Sequence, residues 1–144
     1  MLVRLHEPEP FVHAARNVRQ HVGAVRIFEL VHLFDPDPRV FAALLINQRL
    51  REDDLLTLTA STEATVEQLS MIAADKKWSY RYAIRKALVL NTRTPRSIAA
   101  SQLRFLSRRD LIAIHENPST SVYLRRCIER IPRHELSAGA AQID

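Results

Sequence analysis

Glycine is nearly missing from this chain, with only Gly23 and Gly139 in 144 residues. Tight hairpins, Rossmann turns and phosphate-binding loops all place glycine where φ is positive or where backbone must approach a phosphate. The deficit therefore argues for an all-α protein and against a nucleotide-binding α/β fold. The apolar residues agree, because they keep a helical period and never alternate strictly. Leu124, Cys127, Ile128 and Ile131 fall at i, i+3, i+4 and i+7, one buried stripe. Ala99, Leu103 and Leu106 form a second stripe, and Ile84, Ala87 and Leu88 a third. Each such helix is short with one wet face, so it must pack on others to offset its ordering entropy.

The stretch from Trp78 to Ile131 carries the clearest punctuation. Thr94 before Pro95 reads as an N-cap with proline in the first helical position, and Asn117-Pro118 repeats the device. Ser107-Arg-Arg-Asp110 reads as a variant capping box. Upstream, Asp35-Pro-Asp37-Pro38 ends one helix and caps the next, which runs through Val40, Ala43 and Leu44 to Asn47. Arg51-Glu-Asp-Asp54 puts acids in a first turn, where the helix dipole favours them, and Ser61-Thr62-Glu63 separates that helix from one holding Val66, Leu69 and Ile72.

Internal comparison reveals a repeat. Ala43-Leu-Leu-Ile-Asn47 matches Ala87-Leu-Val-Leu-Asn91 at an offset of 44, and the same shift lays Phe34 over Trp78 and Val40 over Ile84. Asp54-Leu55 matches Asp110-Leu111 at an offset of 56, so the second unit is longer by 12 residues, which Pro95 to Leu106 would supply. A period near 44 lies among those of two- and three-helix solenoid repeats.

The run from Ala87 to Pro95, followed by Leu106-Ser-Arg-Arg-Asp110-Leu111 and Asn117-Pro118, resembles bacterial α-solenoid repeats of the HEAT-like and leucine-rich-variant kind. The resemblance covers roughly Asp35 to Ile131. It implies stacked helix pairs of the HEAT or armadillo type, about eight or nine short helices in all. Some leucine-rich-variant proteins are associated with a cysteine-ligated cluster; this chain has one cysteine, so that cofactor does not carry over and none is expected. The expected organisation is an extended arm over residues 1–10, a single helical-repeat domain over 11–133 with units at about 34–77 and 78–131, and a mobile tail over 134–144.

Composition narrows the function classes. The lone Cys127 rules out a disulfide framework or a zinc finger within the chain and reads as a small core residue. No apolar run approaches the roughly 18 residues of a membrane span, and Met1 to Pro10 is too rich in proline and acid for a signal peptide, so the cytoplasm is the expected compartment. The net charge of +5 is uneven: residues 1–75 carry seven arginines against eleven acids, a net of −4, and residues 76–144 carry fourteen basic residues against five acids, a net of +9. Eighteen of the 21 cationic residues are arginine, whose planar fork suits carboxylates, phosphates and aromatic faces.

The nearest thing to a binding motif is Trp78-Ser-Tyr80-Arg81-Tyr82-Ala-Ile84-Arg85-Lys86. Arg81 and Arg85 share a helical face among three aromatics, a combination that can stack bases or hold phosphates. In the competing reading Trp78 and Tyr82 seal a helix junction, while the arginines are solvated or paired with acids of the preceding repeat. Arg104, Arg108 and Arg109, then Arg125, Arg126, Arg130 and Arg133, extend the basic character over the last helices, either as a row along a groove or as ordinary wet faces. The histidines have no metal-binding spacing, and Asp53-Asp54 is accounted for by the helix dipole.

The leading expectation is a non-enzymatic helical-repeat scaffold that binds another protein, including acidic segments that meet the arginine-rich half. An alternative is nucleic-acid binding through Arg81, Arg85, Arg104, Arg108, Arg125 and Arg126, with Trp78 or Tyr80 stacking. A weaker one is a DNA glycosylase-like enzyme on a HEAT-like scaffold, for which Asp75 and Asp110 are the carboxylate candidates. A homodimer is compatible with terminal repeats that leave apolar stripes uncovered, and no membrane partner is expected.

Overall fold

The computed structural model describes residues 31–132. The expected arm over 1–10, the first part of the expected helical-repeat domain, 11–30, and the tail over 134–144 lie outside the described residues. Residues 31–33 are helical. Seven helices follow: α1 Pro38–Leu45, α2 Glu52–Ala60, α3 Val66–Ala74, α4 Tyr82–Leu90, α5 Arg96–Leu103, α6 Arg108–Glu116 and α7 Val122–Glu129. No strand occurs among the described residues, which are all-α as expected. No helix among them is long and apolar enough to cross a membrane.

How the chain turns without glycine is visible at each helix end. Asn47, Asn91 and Asn117 each accept the amide N–H two residues on (Arg49, Arg93 and Ser119, all 2.9 Å), an Asx turn. Asp35, Ser61 and Asp75 do the same toward Asp37, Glu63 and Lys77. The side chain thereby bends the backbone with every φ negative among the described residues, and no position calls for glycine. The residue three positions after Asn47, Ser61, Asp75 and Asn91 then turns inward: Leu50, Ala64, Trp78 and Thr94 are all buried.

The helix starts combine expected and unexpected caps. Asp37 accepts from Arg39 N at the head of α1, and Thr65 and Gln68 form a complete capping box on α3. Ser107 caps α6 through Asp110 N, but the return bond of a capping box is absent: Ser107 N donates to the Tyr82 hydroxyl, and Asp110 turns to α4. Thr94 is not the cap of α5. Pro95 holds that position, and its carbonyl accepts the first helical bond, from Ala99 N. Asn117 likewise belongs to the end of α6, and Ser121 caps α7 by accepting from Leu124 N. At Asn117 the Asx turn claims the side chain that would have capped, and the helix starts past the proline; Thr94 instead lies buried with its hydroxyl unpartnered.

A second device ties helices that are far apart in sequence. The last carbonyls of a helix lack intrahelical donors, and here a side chain about thirty residues later supplies them. Gln68 Nε2 donates to Leu33 O (3.3 Å) and Asp35 O (3.0 Å), and Trp78 Nε1 donates to Leu45 O (3.2 Å). Asn91 Nδ2 donates to Thr59 O (2.6 Å) and Ser61 O (3.0 Å), and Arg93 reaches Thr62 O and Ala64 O. These bonds tie Leu33 and Asp35 to α3, the end of α1 to the α3–α4 turn and the end of α2 to the end of α4. In the packing, α1 lies on α3, α2 on α4 and α5 on α7, with α3 and α5 also against α4, and α6 against α7.

The buried residues form two cores that meet inside α4. Leu33, Phe41, Leu55, Leu58, Leu69, Ile72, Trp78, Ile84 and Leu88 belong to the first, and Val89, Ala99, Leu103, Leu106, Leu111, Ile114 and Leu124 to the second. Full burial of a leucine or phenylalanine side chain contributes about 1.5–3 kcal/mol, so the adjacent Leu88 and Val89 make α4 the shared wall. Cys127, Ile128 and Ile131 are partly buried against the second core beside Leu124, as their stripe predicted.

The helix bounds keep one expected register and redraw the other. Shifted by 56, α2 begins and ends on α6, and the start of α3 falls on that of α7. Shifted by 44, α1 begins on α4. Yet the helix that packs on α7, as α1 packs on α3, is α5. The segment Pro95 to Leu106 is thus not a simple insert: it holds the helix in α1's packing position, and α4 stands between the two sets.

Candidate functional site

The turn between α3 and α4 sorts the aromatics of the predicted motif. Asp75 Oδ1 accepts from both Lys77 N (2.8 Å) and Trp78 N (3.2 Å), which tightens the turn. Trp78 is directed inward, 2% exposed, with its indole on Leu45 O and the Lys77 ammonium 4.4 Å from its ring centroid. Its ring is taken up by packing, so it is not open to the stacking expected of it in the nucleic-acid reading. Tyr80, two positions on, is 76% exposed.

Arg85 rises from the same side of α4 and is fixed at both ends of its guanidinium. Its Nε donates to Ser79 O at 2.5 Å, and its Cζ lies 3.8 Å from the centroid of Phe105 and 5.9 Å from that of Tyr80. Arg104 sits on the same phenyl ring at 5.0 Å. Burial lowers the pKa of Arg85, the nearby Tyr80 raises it and Arg104 lowers it. A guanidinium starts so far above neutrality that Arg85 stays cationic. Two cations and two aromatic rings thus share one partly exposed face, and neither Arg85 nor Arg104 has an acidic partner among the described residues. Phe105 was missing from the predicted set. It lies off the Leu103–Leu106 stripe and beside an arginine, so the rule that singled out Tyr80 would have found it.

The remaining predicted residues disperse. Arg81 reaches back to Glu52 of α2 at 3.7 Å, a half-exposed pair worth at most about 1 kcal/mol. Arg125 folds inward, donating to Asn117 O at 2.9 Å. Arg108 and Arg126 are exposed at the start of α6 and the last turn of α7. The described contacts join Tyr80, Arg85 and Arg104 and leave the other arginines outside that cluster.

The two carboxylates considered for catalysis are structurally committed. Asp110 accepts from Lys86 Nζ at 2.8 Å on one oxygen and from the Tyr82 hydroxyl, by a short hydrogen bond, on the other. The hydrogen bonds from Lys86 and Tyr82 hold its pKa below the ordinary carboxylate value, against a smaller opposing effect of burial. Asp75 is occupied by two amides of its own turn. His115 bonds Glu129 at 3.0 Å across α6 and α7, and no group of three potential metal ligands occurs among the described residues. No family model matches the sequence, and neither a curated protein nor a solved structure is detectably similar to it.

Proposed function

We propose that this protein is a cytoplasmic, non-enzymatic scaffold of the HEAT-like or leucine-rich-variant helical-repeat kind, and that it binds another protein through the face built by Tyr80, Arg85, Arg104 and Phe105. The observation that carries the reading is the Arg85 guanidinium held over Phe105 at 3.8 Å with Arg104 on the same ring. Arginine stacked on an aromatic ring keeps its in-plane N–H groups free for a carboxylate, and Tyr and Arg are the residue types over-represented at interface hot spots. The rings also hold the long side chains in place, which reduces the entropy lost on binding. Extended helical arrays offer such surfaces without moving parts.

Dispersal of the other cations supports a scaffold over a polyanion groove. Arg81 is paired to Glu52 and Arg125 is turned to a backbone carbonyl, which leaves gaps where a phosphate backbone would need a continuous row. The commitment of Asp110 and Asp75 to structural bonds supports a non-enzymatic reading. Ile112, Val122 and Tyr123, exposed on α6 and α7, offer a further apolar surface on which a second copy would stack.

The test is a short-peptide array screened with wild-type protein and with the Arg85→Ala and Phe105→Ala variants, beside an anisotropy titration with an unrelated oligonucleotide at two salt concentrations. Peptides rich in Asp and Glu that bind wild type and lose binding in both variants support the reading. Tight oligonucleotide binding that weakens steeply with salt, without peptide selection, transfers the face to nucleic acid.

A further inference from the structure

The face built by Tyr80, Arg85, Arg104 and Phe105 gathers its charge at one point. Both guanidinium groups lie within 5.0 Å of the centroid of a single ring, that of Phe105. Around them the positive charge is already engaged: Arg81 is paired to Glu52, Arg125 is turned to Asn117 O, and Lys86 is held by Asp110. A run of Asp and Glu residues, advancing roughly 3.3 Å per extended residue, reaches past this pair and leaves most of its carboxylates without a cation. A ligand that carries its negative charge on one group fits the arrangement better.

The pair is also held ready and left uncompensated. Arg85 spends its Nε on Ser79 O and rests its Cζ over Phe105, so its two terminal nitrogens are the part left to a ligand. Arg104 is exposed and keeps its whole fork. Asp110, the acid nearest to them in sequence, is occupied by Lys86 and Tyr82. Burial and, after it, the like charge of Arg104 lower the pKa of Arg85, a repulsion that an anion shared by the two relieves. Tyr80, 76% exposed, and Phe105, 38% exposed, flank the pair with open ring surface.

We propose that the partner segment this face takes is a peptide carrying one phosphorylated side chain, an inference that rests on the protein-binding function proposed above. The phosphate accepts from the terminal nitrogens of Arg85 and from the Arg104 fork, and the stem of the modified side chain lies on Tyr80 and Phe105. A phosphorylated side chain brings about −1.5 to −2 charges and three acceptor oxygens to one place. A carboxylate brings one charge and two oxygens, enough for a single bidentate arginine. Two forks on one ring therefore match the phosphate.

The test is a library of short peptides with randomised flanks, made in four versions whose central residue is phosphoserine, phosphotyrosine, glutamate or serine, screened on the full chain and followed by anisotropy titration of the best binders. The expected result is that phosphorylated peptides bind at least about tenfold more tightly than the same sequences with glutamate, and the tighter of the two phosphorylated versions identifies the stem. Arg85→Gln and Arg104→Gln should each remove that preference. Arg104→Lys, which keeps the charge and loses the fork, should weaken the phosphopeptide severalfold and leave the glutamate peptide unchanged. Arg126→Gln, which removes a cation from the last turn of α7 outside the cluster, should change nothing. Glutamate peptides that bind as tightly as phosphorylated ones, and lose binding in Arg85→Gln, overturn this inference and leave the acidic-segment function standing. Binding of none of the four versions overturns both. An unrelated oligonucleotide that binds more tightly than any phosphopeptide, and is weakened by Arg85→Gln, also overturns it and transfers the face to nucleic acid.

Discussion

Replacing Asp110 by Asn is the sharpest test of how α4 and α6 hold together. The carboxylate side chain is 17% exposed and receives the Lys86 ammonium and the Tyr82 hydroxyl, both from α4. Hydrogen bonds to a charged group contribute about 1.5–3 kcal/mol each when buried. Lys86 is 42% exposed, so solvent screening reduces its share to about 1 kcal/mol or less. Asparagine keeps the volume and can still accept from Tyr82, but its amide group then faces the lysine, donor against donor. The net loss is about 2 kcal/mol at pH 7, or roughly 8 °C in Tm for a domain of this size. The pH dependence gives a second reading of the same bond. The folded pKa of Asp110 lies below its unfolded value, so its contribution is complete above the unfolded pKa of about 3.9 and is lost as pH falls through the folded one. Urea unfolding followed by circular dichroism should therefore show a gap between wild type and Asp110→Asn that is constant near neutrality and closes toward acid. A gap under about 0.5 kcal/mol at pH 7, or one that persists unchanged into acid, would refute the assignment.

Three further outcomes follow from the helix-end bonds and the arginine face. Asn91→Ala removes a turn acceptor and two donors to the end of α2, whereas Asn47→Ala removes an Asx turn; the first should cost about 2–3 kcal/mol in denaturant melts and the second about 1 kcal/mol or less. Trp78→Phe forfeits the indole bond to Leu45 O and some packing, about 1–2 kcal/mol, while Trp78→Ala opens a cavity and should cost about 3–5 kcal/mol by thermal melting. Arg85→Ala breaks an exposed cation–π contact and one bond to Ser79 O, so its Tm should fall by only a few degrees, about 1 kcal/mol, while peptide binding is lost; a collapse of the fold would recast Arg85 as structural.

The all-helical class and the segmentation into short helices were legible because both depend on neighbours in sequence. The 3.6-residue stripe reports which face is buried, and Asp37, Ser107 and the acids of α2 act on amides within four residues of themselves. The scarcity of glycine fits the same local logic, since an Asx turn reverses the chain with side-chain bonds between near neighbours. The misplaced cap at Asn117 came from two local motifs competing for one residue, and the Asx turn won; Thr94 lies buried instead of capping, which no neighbour in sequence reports.

Contacts across some thirty residues were beyond that kind of reading. Whether Trp78 points inward depends on a carbonyl at the end of α1, and whether Arg85 joins Arg104 depends on where α5 brings Phe105. Helical periodicity sets the direction of each side chain around its own axis but says nothing of the angle between one axis and the next. That angle is set by side chains such as Gln68, Trp78 and Asn91 gripping carbonyls of earlier helices. Local sequence thus determined what the pieces are, and the long-range bonds between helix ends decided which of their wet faces meet.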